Sequence, residues 1–376
     1  MALTRIANIA STIPDDSIAN VKMANIVQSK NIIINGDMQV SQRSTSTASV
    51  TTVGYYTVDR MQWIADYGTV TLSQDTDVPS GYGFANSFKA DVTTAGTVVS
   101  AGYVLLRQKI EGQNLQYLKK GTSSAQSLTL SFWIKSTKTG TYIAELYDND
   151  NTRQISKSYT VSASNTWEKK TITFAGDTTG AFGNDNAASL FVNLYLSAGS
   201  DYTSGTLNTS WAASTNANRV VGQVDAQDNT SNNIYFTGIQ LEAGDTASEF
   251  EFLPYDLNLQ RCQRYCLVLG DAPGGATYDY ADNGVIGHYY NTTDFYPNWF
   301  YPVPMRGTPG VSFSTTGSGL GDVSSQNTAK TGTSAGTNAT SSTNINFRIS
   351  TATATQGSGG AFNFAASNYV ILSAEL

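Results

Sequence analysis

The sequence predicts an all-β protein: an antiparallel jelly-roll β-sandwich, a short linking helix and a second, smaller C-terminal β domain. Three observations carry this expectation. Charged residues make up only 14% of the 376 residues while aromatics reach 11%, against a usual charged share of about 25%. Strict alternation of apolar and polar residues recurs through the first two thirds of the chain. Clusters of Gly, Ser, Thr, Asn and Asp separate the alternating runs, as turns separate the strands of a two-sheet sandwich.

Residues 1–30 carry Ile6, Ile9, Ile13, Ile18, Val21, Met23, Ile26 and Val27 among small and polar residues, interrupted by Pro14-Asp15-Asp16. No self-contained core fits there, so the segment is expected to gain stability by docking on another chain. Residues 31–255 are expected to form the jelly roll. Within them, 127–135 put Leu128, Leu130, Phe132 and Ile134 on one face and Thr129, Ser131, Trp133 and Lys135 on the other. Residues 190–196 repeat the pattern, with Leu190, Val192, Leu194 and Leu196 inward and Phe191, Asn193 and Tyr195 outward.

Residues 256–270 are expected to form the linking helix. Leu257, Leu259, Cys262, Cys266 and Leu269 lie at spacings that can share a helix face, with Asp256 as N-cap and Gly270 as stop. Pro254 ends the strand block before it. Residues 271–376 are expected to form the C-terminal β domain. Its parts are an aromatic-dense stretch at 278–301, a Ser/Thr/Gly/Asn-rich loop region at 314–344, an alternation at Ile345, Phe347 and Ile349, and a closing strand within 368–376.

A formal charge of −7 and a pI near 4.7 disfavour binding to phosphate backbones, so nucleic acid is not an expected partner. No apolar run approaches the roughly 20 residues that span a bilayer, and the N-terminus lacks a basic segment followed by an apolar core. A soluble chain without membrane insertion or secretion signal is expected. Cys262 and Cys266, one helical turn apart, are expected to be free thiols, because a disulfide would distort the helix. His288 is the one histidine and cannot complete a metal set with them. No metal and no cofactor are expected.

Catalytic patterns fail on context. Gly332-Thr333-Ser334-Ala335-Gly336 fits the nucleophile-elbow spacing, but that elbow needs a strand before it, a helix after it and a later histidine. The carboxylate pairs Asp148 with Asp150, and Glu249 with Glu251, read as solvated turn or strand residues, although two such groups across a groove suffice for a glycosidase. Asp148-Asn149-Asp150-Asn151 could offer oxygens to calcium but lacks the glycine and distal glutamate of an EF-hand loop. The aromatic residues say more. Trp133, Phe191, Tyr195 and Tyr235 fall on the polar side of alternating strands, where rings can stack on sugars, or else fill a subunit contact or a second packed layer. Tyr289, Tyr290, Phe295, Tyr296, Trp299, Phe300 and Tyr301 are too dense for core alone and point to trimer or receptor contacts.

Specific strings then add a resemblance. Asn35-Gly36-Asp37-Met38, Tyr56-Thr57-Val58-Asp59-Arg60, Ser131-Phe132-Trp133-Ile134-Lys135, Trp167-Glu168-Lys169-Lys170 and Gln240-Leu241-Glu242-Ala243-Gly244 resemble, in content and order, the carbohydrate-binding-module-like jelly roll of tailed-bacteriophage fibre and decoration proteins. The run from Phe300 through Met305-Arg306-Gly307-Thr308-Pro309 and the terminal Ser373-Ala374-Glu375-Leu376 look like the C-terminal domain of such fibres. Ile13-Pro14-Asp15-Asp16-Ser17-Ile18 is similar to their attachment segments. The resemblance implies a non-enzymatic virion protein on the tail or capsid surface. It would be a homotrimer held to other virion proteins through residues 1–30, contacting host-surface glycans. Capsid decoration or a head fibre is the alternative it leaves open. A polysaccharide-degrading enzyme is the less favoured one, since long parallel β-helix repeats are absent.

Overall fold

The computed structural model describes residues 30–271, 285–315, 320–325 and 328–376. The expected attachment segment, except Lys30, and the start of the aromatic-dense stretch lie outside the described residues. Twelve strands build the first unit: β1 (Ser46–Val50), β2 (Gln62–Ala65), β3 (Thr69–Asp75), β4 (Ser87–Thr94), β5 (Tyr103–Glu111), β6 (Leu128–Ser136), β7 (Gly140–Asp148), β8 (Arg153–Val161), β9 (Glu168–Phe174), β10 (Ala188–Ala198), β11 (Ala212–Ala213) and β12 (Asn233–Ala243). They form two six-stranded antiparallel sheets, ordered β1-β3-β4-β12-β6-β9 and β11-β8-β7-β10-β5-β2. The chain passes from one sheet to the other at β1 to β2, β2 to β3, β4 to β5, β5 to β6, β6 to β7, β8 to β9, β9 to β10 and β11 to β12, the wrapping of a jelly roll.

Alternation places the core. Leu128, Leu130, Phe132 and Ile134 of β6 meet Leu190, Val192, Leu194 and Leu196 of β10 between the sheets, all buried. On the opposite face of β10, of the readings open for its rings, the second packed layer is the one found at Tyr195. Tyr195 and Asn193 point away from this core but are buried, because segment 199–224 folds back over the sheet. Tyr195 packs there with Ile64, Leu105, Ile143 and Val220. Its hydroxyl donates to Glu145 at 3.0 Å, and Arg219 donates to both Glu145 oxygens at 2.8 Å. A two-residue period marks two faces but cannot tell solvent from a second packed layer.

The linking helix runs Tyr255–Gln263, shorter than expected. Pro254, not Asp256, holds the N-cap position, and Leu257 stays exposed while Asn258, Cys262 and Gln263 are buried. Cys266 and Leu269 belong instead to a strand, β13 (Cys266–Gly270). The physical reason is that Cys-Leu-Val-Leu-Gly is a short run buried on both faces, whose period is ambiguous until a partner strand claims it. Cys262 and Cys266 are nevertheless free and buried, and burial pushes both thiols well above their usual range.

The remaining strands are β14 (Val285–Tyr289), β15 (Asp294–Phe300), β16 (Gly310–Phe313), β17 (Gly321–Ser325), β18 (Thr328–Thr331), β19 (Ser334–Thr340), β20 (Asn344–Ser350), β21 (Gly359–Phe364) and β22 (Tyr369–Ser373). A three-stranded sheet, β13-β22-β16, faces a seven-stranded one, β18-β17-β21-β14-β15-β20-β19. Leu267, Leu372, Phe347, Ile349 and Phe362 fill the space between them. The Ser/Thr/Gly-rich region expected as loop thus contains β17, β18 and β19. Side chains such as Ser-Ala-Gly-Thr-Asn-Ala-Thr in β19 show no apolar alternation, since edge strands can be held by backbone pairing alone.

Buried charges join the two units. Glu375, just past β22, pairs with Arg43 at 3.2 Å and with Arg60 of the sandwich. The Arg60 guanidinium lies 3.5 Å from the centre of the Tyr265 ring. Tyr265 donates to Glu111, which Arg264 also grips through two bonds of 2.8 and 2.7 Å. No helix among the described residues is long and apolar enough to cross a membrane.

Candidate functional site: an aromatic cleft on the sandwich

A bulge prepares the site. The β12–β6 ladder shifts register between Thr237 and Gln240, and Gly238 sits in the bulge at φ 62°. A Cβ there would stand 2.6 Å from Phe84 Cζ, so only glycine lets the Phe84 ring lie against the sheet. Phe84 arrives on the β3–β4 connection Gly81-Tyr82-Gly83-Phe84, whose glycines adopt φ 84° and 83°. Those left-handed residues turn the loop so that Tyr82 and Phe84 both reach the sheet.

The opposite wall comes from Glu249-Phe250-Glu251-Phe252, after β12. Phe250 and Phe252 each lie 5.1 Å from Phe84, ring centre to ring centre, and 4.9 Å from one another. Trp133 of β6 supplies the floor, with the Tyr82 ring 4.4 Å away and tilted by 50°. These rings enclose a cleft of about 250 Å³ whose rim adds the polar Ser131, Lys169 and Glu249. Tyr82 is 53% and Phe252 45% exposed. Partly bared rings beside hydroxyl, ammonium and carboxylate groups suit a ligand with an apolar face and polar edges.

Of the eleven aromatic residues singled out from sequence, only Trp133 reaches this cleft. Phe191 lies on the other sheet, stacked on Tyr147 at 5.7 Å, with Arg107 and Lys109 over its ring at 4.9 and 5.5 Å. Its face is therefore already engaged. Tyr195 is in the second buried layer. Tyr235 is also covered rather than exposed: Lys135 and Lys89 lie over it at 4.3 and 5.3 Å, and Trp167 meets it edge-on. Lys135 is fixed there by its ion pair with Asp77.

In the C-terminal unit Tyr289 and Phe295 are core residues, 5.2 Å apart, not contact residues. Their neighbours in sequence differ because alternation turns every second side chain outward. Tyr290 is 64% exposed and packs edge-on against half-buried Tyr296. Trp299 is half-buried against the core. Sequence reading missed Tyr82, Phe84, Phe250 and Phe252. Their signal was the pair of strings Gly-Tyr-Gly-Phe and Glu-Phe-Glu-Phe, aromatic alternation next to glycines or a proline rather than inside a regular strand.

The carboxylates hold structural partners. Asp148 is buried and binds Lys120 at 2.5 Å, which also reaches Asp177 at 3.0 Å. Its Oδ1 accepts from the Asp150 and Asn151 N–H groups at 3.0 and 3.1 Å. Of the residues considered for calcium, Asp148 thus holds an ammonium, while Asp150 accepts the Gly183 N–H at 2.8 Å. No group of three or more His, Cys, Asp or Glu able to hold a metal occurs among the described residues. Glu251 accepts the Asn31 N–H at 2.8 Å while Glu249 stands on the cleft rim, so that pair is split. Ser334 opens β19, a strand and not the helix an elbow needs, and His288 is exposed on β14.

No family model matches this chain, and no curated protein sequence matches it. Solved structures show partial likeness. An enzymatically active domain of tailspike protein 4 from bacteriophage CBA120 is 17% identical with a TM-score of 0.30, over 57% of this chain and 21% of that one. The family 11 carbohydrate-binding module of Clostridium thermocellum, in complex with a mixed-linked tetrasaccharide, is 13% identical with a TM-score of 0.25, over 54% of this chain and 99% of that one. The N-terminal cellulose-binding domain of β-1,4-glucanase C from Cellulomonas fimi is 12% identical with a TM-score of 0.26, over 49% of this chain and 90% of that one. The match to the tailspike protein spans about a fifth of that protein's chain.

Proposed function

We infer that this chain is a non-enzymatic glycan-binding protein of a tailed-phage virion, a trimeric tail fibre or receptor-binding protein, and that its aromatic cleft meets host-surface sugars. The observation that carries the reading is the arrangement of Trp133, Tyr82 and Phe252, rings left partly bare beside Ser131, Lys169 and Glu249. Pyranose rings present an apolar C–H face to such rings and hydroxyls to such a rim. The virion assignment is supported by the framework strings and their order. The non-enzymatic reading is supported by Glu249 being the one carboxylate among the described lining residues, where glycoside hydrolysis uses two.

Assembly is supported by an uncovered apolar face. Alternation puts Ile286, Tyr290 and Phe300 on one side of β14 and β15, all exposed, and such patches usually signal association. A glycan array probed with the full chain and with Trp133→Ala tests the binding role. Binding to bacterial surface polysaccharides that falls at least about tenfold in the variant is the expected result. Absence of binding to any glycan or host cell overturns it, and a monomer in light scattering at micromolar concentration overturns the trimer.

A further inference from the structure

The rim of the aromatic cleft carries two charges that the fold itself leaves unused. The lysines of sheet β1-β3-β4-β12-β6-β9 are Lys89, Lys135, Lys169 and Lys170. Lys89 pairs with Asp75, Lys135 with Asp77 and Lys170 with Glu168. Lys169 alone of them has neither an ion pair nor a side-chain hydrogen bond among the described residues. The glutamates that close β12 and follow it divide in the same way. Glu242 accepts from the Ser248 hydroxyl at 2.7 Å and Glu251 from the Asn31 N–H at 2.8 Å. The Glu249 carboxylate has no such partner among the described residues. Both unused groups are exposed, and both line the cleft.

Strand register fixes where Lys169 stands. It lies directly opposite Trp133 on the neighbouring strand β9, and residues so placed share a face with Cβ atoms about 4.5–5.5 Å apart. Lys169 therefore flanks the floor of the cleft, while Glu249 belongs to the wall, one residue before Phe250. They do not pair with each other, so opposite charges stand apart on one rim. In open water such ions gain little from a counter-ion. A ligand seated on Trp133, Tyr82 and Phe252 replaces water beside them, which lowers the local dielectric and strengthens the attraction. Charge-assisted hydrogen bonds are then roughly twice as strong as neutral ones, and an ammonium gains further from a nearby ring face. The cleft volume of about 250 Å³ is just below that of drug-sized sites, about 300 to 1,000 Å³, which suits one sugar residue of a chain.

We propose, resting on the glycan reading of this cleft, that it selects a sugar residue bearing both charges: an ammonium that faces Glu249 and an oxyanion that faces Lys169, with Trp133 against its apolar face. The oxyanion is a carboxylate, as in an aminouronic acid, or a phosphate, as in a phosphorylated hexosamine. The two sources share the pair of charges and differ in the acid.

Calorimetric titration of the full chain with 2-amino-2-deoxyglucuronate, glucosamine 6-phosphate, glucosamine, glucuronate, glucose 6-phosphate and glucose tests this. At least one doubly charged sugar is expected to bind about tenfold tighter than glucose, several-fold tighter than any singly charged one, and more weakly as salt is raised. Whichever of the two binds tightly identifies the acid, and either result supports the proposal. Lys169→Gln is expected to bring a doubly charged sugar down to the affinity of glucosamine. Glu249→Gln is expected to bring it down to that of the matching acid, glucuronate or glucose 6-phosphate. Both side chains are exposed, and an unchanged melting temperature shows that the fold is kept. Wild-type preference in either variant overturns the proposal, as does a singly charged sugar that binds as tightly as the doubly charged ones. Glucose matching the doubly charged sugars, with binding lost in Trp133→Ala, overturns the charge selection and leaves the glycan reading standing. Binding of none of the six also overturns the charge selection, and the glycan array then decides the glycan reading separately.

Discussion

Tyr82 and Trp133 stand with ring centres 4.4 Å apart and planes at 50°, one carried by a glycine-flanked loop and the other by a sheet strand. Strand β6 carries Trp133, buried on its other side by the core, while Tyr82 sits on a loop turned at the left-handed Gly81 and Gly83. Removing either ring should therefore affect binding alike and stability differently. Tyr82→Ala should lower glycan affinity about tenfold, roughly 1.4 kcal/mol, with little change in melting temperature because the ring is half exposed. Trp133→Ala should lose as much affinity and some stability as well. Titration beside a thermal scan checks both, and equal melting losses would contradict the distinction.

Gly238→Ala should close the cleft from below. A Cβ at a left-handed residue costs on the order of 1–2 kcal/mol, and here it also meets Phe84 at 2.6 Å. The expected outcome is a lower urea midpoint together with lost glycan binding. A variant with the wild-type midpoint would show that the bulge tolerates a side chain.

The joint between the units should depend on Glu375. Its carboxylate answers both Arg43 and Arg60, the latter almost wholly buried; Arg43 keeps Asp59 at 3.9 Å, but Glu375→Ala takes from Arg60 its ion-pair partner, an effect of roughly 3–5 kcal/mol. Urea unfolding should show the loss. Pairing this variant with Arg60→Met should recover part of it, because the uncompensated charge goes too.

Glu111 predicts a pH dependence. Burial raises its carboxyl, but the bonds from Arg264 and Tyr265 outweigh burial and hold it below the usual carboxylate range. A folded-state pKa depressed below the unfolded value of about 4.3 means the contribution is full above that value and is lost as pH falls through the folded one. The stability gap between wild type and Glu111→Gln should thus be widest near neutral pH and narrow below about pH 4. A gap that widens in acid would contradict the assignment.

Much of the fold was legible in local sequence. Leu128, Leu130, Phe132 and Ile134 mark their strand because one face must shed water, and Ile345, Phe347 and Ile349 do the same in the second unit. Less legible were residues whose fate depends on distant partners. Cys266 through Gly270 became a strand because β22 lies beside it, and β19 formed on backbone pairing with β20. The cleft was legible only at Trp133. Tyr82 and Phe252 are 170 residues apart in sequence, 252 less 82, and no local pattern joins them.

By itself the sequence determined the all-β class, the two apolar cores and the change of character at Pro254, since each follows from side-chain period and polarity along a few residues. Tertiary structure alone decided which rings stay bare. Tyr195 and Tyr235 obey the same alternation as Trp133, but segment 199–224 buries the first and two lysines cover the second. Alternation assigns a side chain to a face of a sheet, and exposure depends on what else in the chain folds across that face.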